Sequence, residues 1–202
     1  MDWSIAFSTI AGLGFAVGYL DYNFGVHYHK STSPNAASWT IWTAIALVSS
    51  TTYWAASGDV WKSVIPIVNV VLCVATYIGA LICGKFQKLK TSEWLALASG
   101  LAAVAVWAAY HSAVYANLVV QIAITIGCIP TWRAVWKNPK PERARPWLIW
   151  ASAYSLAAVV VILRWKQWSD LAYPVLCALL HGSVPLLEPV RATIVRILRP
   201  AT

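Results

Sequence analysis

The stretch from Ser63 to Cys83, SVIPIVNVVLCVATYIGALIC, carries no charged residue and decides the fold class. A helix needs about 17–25 apolar residues to cross a hydrocarbon core that is about 30 Å thick. Ser63–Cys83 meets that length, and a run this apolar is unusual in an ordinary soluble helix. We therefore predict that it forms a transmembrane helix.

The rest of the chain has the same character. Of its 202 residues, 59% are hydrophobic and only 11% are charged, whereas soluble domains carry roughly 25% charged residues. The 13 tryptophans are typical of the aromatic belts at membrane–water interfaces. The composition thus predicts an all-α integral membrane protein.

Seven segments are long and apolar enough to span a bilayer, and a tight turn near His111–Ala116 must divide the fourth from the fifth. The predicted spans are Trp3–Leu20, Trp39–Gly58, Ser63–Cys83, Trp94–Val114, Ala113–Trp132, Pro146–Leu163 and Leu171–Leu187. The tail Glu188–Arg199 alternates apolar residues with arginines, which predicts a short helix on the membrane surface.

The net charge of +8 comes from short loops between the spans. These loops form no nucleic-acid motif, so we expect no nucleic-acid partner. With the N-terminus outside, every one of the 15 basic residues except Lys62, Arg164 and Lys166 lies on the cytoplasmic side. The positive-inside rule favours that orientation, which places the C-terminus in the cytoplasm. We expect the cell membrane as the location.

An internal repeat relates the two halves of the chain. Trp39–Trp42 (WTIW) recurs as Trp147–Trp150 (WLIW) at an offset of 108, and Pro66 matches Pro174. At an offset of 109, Gly18 matches Gly127. The repeat predicts a 3+1+3 arrangement of two parallel units, a known transporter design. Its predicted parts are a first triple-helix unit (1–85), a linker helix (86–112), a second unit (113–188) and a cytoplasmic amphipathic tail (189–202).

A family resemblance follows from the order of motifs along the chain. Lys30-Ser31, Trp54, Gly58-Asp59 and Asn69 follow one another in the first unit, and Pro130 precedes the Lys137–Lys140 loop in the second. In this the chain resembles the PQ-loop superfamily of SWEET and SemiSWEET sugar transporters. The resemblance implies seven helices and a substrate pocket between the two units. SWEET-like transporters of nicotinamide riboside share the plan and its abundance of tryptophan, which leaves a flat vitamin-like solute as a second substrate class.

Polar side chains inside apolar spans mark pathways or sites by default. Asn69 lies mid-span, three residues after Pro66, and the pairs Asn117/Gln121 and Cys177/His181 each share a helix face because their members are four residues apart. Interhelical packing is the alternative role for the amides, as a structural hydrogen bond is for His181. The predicted substrate-binding residues are Trp54, Asn69, Asn117, Gln121, Cys177 and His181.

We predict a hinge or gating role for three further residues at the cytoplasmic side. Pro130 near the inner end of the fifth span suits a hinge for rocking of the helix bundles. Asp21, at the mouth of the first span, is either a gate ion-pair partner of Arg133 or a solvated side chain.

Together these features predict a transporter of a small polar solute, sugar-like or nucleoside- and vitamin-like, that works by alternating access around a midplane pocket. A non-transporting PQ-loop-like receptor or assembly protein is the alternative, and a proton-coupled carrier using His181 or Asp21 is the third hypothesis. The seven acidic residues lie mostly in loops and form no catalytic motif, so we expect no enzyme activity, cofactor or metal. The expected partners are the solute and the lipid bilayer, and a homo-oligomer is compatible with the sequence.

Overall fold

The computed structural model describes residues 2–29, 36–83, 88–137 and 143–198; within these ranges, only the backbone is described for 25–29, 36–38, 83, 188 and 191–198. All secondary structure in these ranges is helical, as the sequence predicts. The helices are α1 (Trp3–His29), α2 (Ala36–Ser57), α3 (Val64–Cys83), α4 (Thr91–Tyr110), α5 (Ala113–Lys137), α6 (Ala144–Leu163) and α7 (Ser169–Leu198). The loop motif Lys30-Ser31 and the loop residues 138–140 lie outside the described residues.

Six of the helices, all except α2, are long and apolar enough to cross a membrane. The chain is therefore membrane-embedded. The lower hydropathy of α2 comes from its hydroxyl residues, which include the run Ser49-Ser50-Thr51-Thr52. Thr51 and Thr52 donate hydrogen bonds to the carbonyl oxygens of Leu47 and Val48, at 2.8 and 2.7 Å. Such back-bonding lets hydroxyls sit inside an apolar helix bundle.

The predicted turn between the fourth and fifth spans is confirmed. Helix α4 ends at Tyr110, and His111 adopts the left-handed conformation with φ of 49°. Its backbone N–H donates to the carbonyl oxygen of Trp107 at 2.9 Å. This is the usual way for a helix to satisfy a terminal carbonyl while the chain reverses.

Three helices run further than the apolar pattern predicts, and the shortest extension is that of α5, which ends at Lys137 instead of Trp132. Helix α1 continues past Leu20 to His29 because its polar residues find partners: the amide of Asn23 donates to Thr76 Oγ1 at 3.1 Å. Helix α7 continues to Leu198, so the helical tail that begins at Glu188 is an extension of α7, and its position on the membrane surface stays a prediction. Its prolines do not end the helix, since a proline removes one backbone hydrogen bond and bends the axis without forcing termination.

We group the helices by their contacts into two sets, α1 to α3 and α5 to α7. Helices α1 and α2 both pack on α3, and α5 and α6 both pack on α7. Across the two sets, α1 packs on α6 and α2 packs on α5, while α4 packs on α5 and α2. Small buried residues such as Ala96, Ala103 and Ala123 allow this close approach.

Candidate binding cavity

A cavity of about 390 Å³ lies where the helices converge, and each of the seven helices contributes to its lining. Its volume falls within the range of about 300–1,000 Å³ that is usual for small-molecule sites. Near the basic loops the lining reaches Lys90 and Ala134, which are both exposed. Toward the opposite end it stops at Ser49, Tyr154 and Tyr173. The cavity is therefore open on the side of the basic loops.

One wall of the cavity, formed by α1 and α6, consists of aromatic side chains; we call it the aromatic wall. Its members are Phe15, Tyr19, Tyr22, Trp147, Trp150 and Tyr154. The ring centroids of Tyr19 and Trp150 lie 5.1 Å apart, as do those of Phe15 and Tyr154. These spacings are typical of aromatic pairs that pack edge to face or offset.

A second wall, formed by α2 and α5, carries Trp39 and Trp42 together with aliphatic and smaller side chains; we call it the small-residue wall. Its small members are Ala46, Ser49, Gly127, Cys128 and Thr131.

Two tryptophans cross from one helix set to a glycine of the other. The Trp150 ring lies against Gly18, where an added Cβ would come within 2.6 Å of Trp150 Cδ1. The Trp42 ring lies against Gly127, where an added Cβ would come within 2.7 Å of Trp42 Cη2. Neither position has room for a side chain while the tryptophan stays in place, and Trp150 Nε1 is held by a hydrogen bond to the carbonyl oxygen of Phe15 at 3.2 Å.

Four of the residues predicted from the sequence line this cavity: Asn69, Cys177, His181 and Pro130. Asn69 Oδ1 accepts a 2.7 Å hydrogen bond from the Tyr19 hydroxyl, which also lies 3.0 Å from Cys73 Sγ. His181 Nδ1 lies 2.7 Å from the carbonyl oxygen of Cys177. Pro130 lies within the continuous helix α5.

Three predicted residues lie elsewhere. Asn117 is buried between α5 and α2, where its amide donates to Thr52 Oγ1 at 3.2 Å. Gln121 donates to Asn117 Oδ1 at 3.1 Å and borders a separate apolar groove beside α7. The side chain of Trp54 is 54% exposed on the outside of the bundle. The two amides do share a helix face, since Gln121 bonds to Asn117, but that face does not line the cavity.

The expected ion pair between Asp21 and Arg133 is not present among the described side chains. Asp21 instead lies 3.8 Å from Arg143 Nη1 and 3.7 Å from Arg145 Nε, across the α1–α6 contact, and Arg133 is exposed. Helix α6 is the neighbour of α1, so the arginines at the start of α6 are closer than one on α5.

A buried ion pair lies beyond the closed end of the cavity. Lys62 Nζ, in the loop between α2 and α3, lies 2.7 Å from Asp170 Oδ2 at the start of α7, and each side chain is 1% exposed. Gln167 Nε2 donates to the other carboxylate oxygen at 3.0 Å, and the Tyr53 hydroxyl donates to the backbone oxygen of Asp170 at 2.8 Å. These contacts join the two helix sets at that end.

A second, more exposed pair reinforces the same end. Arg164 Nε donates to Asp59 Oδ2 at 2.6 Å, and Arg164 Nη1 donates to Ser4 Oγ at 3.0 Å. Burial raises the pKa of the Asp59 carboxyl, but the hydrogen bond from Arg164 and those from the backbone N–H groups of Trp61 and Lys62 outweigh it. The pKa therefore lies below the ordinary value of 3.8.

The Lys62–Asp170 pair was not predicted from the sequence, although a signal was present. The two residues are separated by 108 positions, the offset that relates Trp42 to Trp150. The fourth helix was predicted to be a linker, and in the structure Glu93 of this helix, α4, lines the cavity.

No family model, curated protein or solved structure matches this chain. Within the described residues, no three His, Cys, Asp or Glu side chains come together as a metal site.

Proposed function

We propose that this chain is a membrane carrier that moves a small polar solute by alternating access, with seven spans in a 3+1+3 arrangement. The observation that carries the proposal is the one-sided cavity, which is open beside the basic loops and closed at the other end by the Lys62–Asp170 pair. A carrier needs a site that reaches one side at a time, with a seal that can form and break.

The repeat is supported by the cavity lining itself. Positions 108 or 109 apart line the cavity together in both halves of the chain. The pairs are Phe15 and Ile124, Tyr19 and Cys128, Tyr22 and Thr131, Trp39 and Trp147, Trp42 and Trp150, Ala46 and Tyr154, Asn69 and Cys177, and Cys73 and His181. The matched contacts of Trp150 with Gly18 and of Trp42 with Gly127 follow the same relation. A pseudo-twofold axis along the membrane normal accounts for both sets of observations.

Helix α2 serves as the seventh span in this proposal. It packs on α3, α4 and α5, so its hydroxyls meet protein and the cavity more than lipid. The positive-inside rule then places the cavity mouth at the cytoplasmic face and the Lys62–Asp170 pair at the outer face.

A receptor or assembly protein without transport activity is the alternative that the sequence left open. That role does not require a central cavity, and the packing needs of a bundle favour a filled core. The 390 Å³ opening, with Asn69 and His181 in its lining, therefore supports the carrier.

Counterflow in proteoliposomes tests the proposal. The purified full chain is reconstituted, and vesicles preloaded with unlabelled sugars, nucleosides or amino acids are tested for uptake of the same labelled solute. We expect saturable uptake of at least one solute, driven by the solute gradient; dependence on an imposed pH gradient would instead favour the proton-coupled version. The Asn69→Ala variant should lose most uptake. The matched control Asn23→Ala removes an amide that bonds outside the cavity and should retain uptake. Uptake that is absent for every solute, or unaffected by Asn69→Ala, would refute the assignment.

A further inference from the structure

One corner of the helix bundle carries exposed cations from two neighbouring helices, α4 and α5, on the side of the basic loops; we call it the basic corner. Helix α4 packs on α5, and the turn at His111 joins them. Counted along the helices, Lys90 and Arg133 are both about 32 Å from that turn, because a helix rises 1.5 Å per residue. The start of α4 therefore lies beside the end of α5. The exposed basic residues of this corner are Lys88, Lys90, Arg133 and Lys137.

Within the described ranges, the cations of the basic corner have no acidic partner. The ion pairs in those ranges use other cations, namely Lys62, Arg143, Arg145 and Arg164. Glu93, the acidic residue of α4, is 8% exposed, and its carboxylate accepts the backbone N–H of Lys90 at 2.7 Å. Glu93 thus stabilises the start of the helix, and the corner presents an excess of positive charge at the surface.

The start of α6 also carries exposed arginines on the side of the basic loops, but there an acidic residue is present. Arg143 Nη1 and Arg145 Nε lie 3.8 and 3.7 Å from the two carboxylate oxygens of Asp21. Asp21 offsets part of their charge. The start of α6 and the basic corner therefore differ in the charge that is left for an external partner.

Two exposed tryptophans indicate the depth of the basic corner in the membrane. Trp94, near the start of α4, is 58% exposed, and Trp136, near the end of α5, is 41% exposed. Exposed tryptophans of membrane proteins concentrate at the level of the lipid headgroups. The cations beside them therefore lie at the depth of the headgroup phosphates, to which lysine and arginine donate charge-assisted hydrogen bonds.

We propose that the basic corner binds the headgroup of an anionic phospholipid between the start of α4 and the end of α5. Basic surfaces at this depth attract anionic lipids. A zwitterionic headgroup carries its own cation beside the phosphate and gains less from the same residues. The site is separate from the solute cavity, and its occupation does not depend on transport.

Mass spectrometry of the intact purified chain, titrated with phosphatidylglycerol or phosphatidylcholine, tests the assignment. We expect phosphatidylglycerol to bind about tenfold more tightly or better. Each basic residue near a membrane surface contributes a factor of about five, so Arg133→Gln combined with Lys137→Gln should weaken phosphatidylglycerol binding about 25-fold.

The matched control is Arg143→Gln combined with Arg145→Gln, which removes the same number of charges from arginines that already face Asp21. It should weaken binding by less than about threefold, because charges away from the headgroup are screened. All four side chains are exposed, so both double variants should keep the Tm of the parent without added lipid.

Three results would overturn the assignment. Equal affinity for the two lipids would show that the headgroup charge is not recognised. Equal weakening by the two double variants would show a response to net charge and not to the basic corner. Displacement of phosphatidylglycerol by excess inorganic phosphate would show that the corner binds a free anion instead of a lipid.

Discussion

The Lys62–Asp170 pair offers the sharpest test of how the closed end is held. Asp170→Asn keeps the shape of the side chain but leaves the Lys62 ammonium with 1% exposure and no counter-charge. Removing one partner of a buried ion pair costs about 3–5 kcal/mol. For a chain of about 200 residues, each kcal/mol lowers Tm by roughly 2–4 °C, so we expect Tm to fall by roughly 6–20 °C.

The same free energy can be relieved by opening the closed end instead of by unfolding. At tenfold for each 1.4 kcal/mol, 3–5 kcal/mol shifts the open-to-closed ratio by a factor on the order of a hundred to a few thousand. Thermal unfolding in detergent and the rate at which an outer-face thiol reagent reaches the cavity together detect either response.

The control removes both charges. Lys62→Met combined with Asp170→Asn leaves no buried charge, so its Tm should recover most of the loss seen in the single variant. If the Tm of Asp170→Asn lies within about 2 °C of the parent's and its cavity stays unreactive from outside, the pair does not hold the closed end. A double variant that is no more stable than the single one would contradict the cost of an unpaired buried charge.

Two further predictions follow from the glycine contacts and the outer charges. Gly18→Ala forces a Cβ into the Trp150 ring and should lower the free energy of unfolding by about 1–3 kcal/mol, measured by heat or denaturant. The control Gly14→Ala has no neighbouring atom within 4 Å of the added Cβ and should be neutral or stabilising. Equal effects of the two substitutions would contradict the contact between Gly18 and Trp150. Arg164→Gln should raise the pKa of Asp59 toward its ordinary value and destabilise the chain by about 1 kcal/mol or less at pH 7. Because the folded-state pKa is lowered, the stabilisation is present above the unfolded value of about 3.9 and is lost as the pH falls through the folded value, so the gap between variant and parent should close on acidification. A gap that is constant between pH 7 and pH 3 would show that Asp59 is not involved.

The helices were predictable because a membrane-spanning helix must match the thickness of the hydrocarbon core and must be largely apolar, and both properties can be read from the sequence. The ends of the helices were less predictable. The length of an apolar run shows where the hydrocarbon core ends, but a helix can continue beyond that point. Helix α1 does so where the amide of Asn23 finds a hydrogen-bond partner. The α7 backbone continues past Pro189 because a proline removes one backbone hydrogen bond without forcing the helix to end.

Site residues were predictable only in part, because spacing shows which residues share a face but not which neighbour that face meets. Asn69 and His181 line the cavity, while Asn117, which is equally polar, bonds to α2. The Lys62–Asp170 pair was beyond the reach of local patterns because it joins residues 108 positions apart.

One measurement tests one-sided access most directly. In a chain whose native cysteines are replaced, Ala46→Cys places a single thiol on the small-residue wall of the cavity. A membrane-impermeant thiol reagent is then applied to each face of sealed, oriented vesicles. We expect reaction from the face that carries the basic loops, and from the opposite face only when Asp170→Asn is added. Equal reaction from both faces, or reaction only from the face of the Lys62–Asp170 pair, would contradict an access route that is open on one side and sealed on the other.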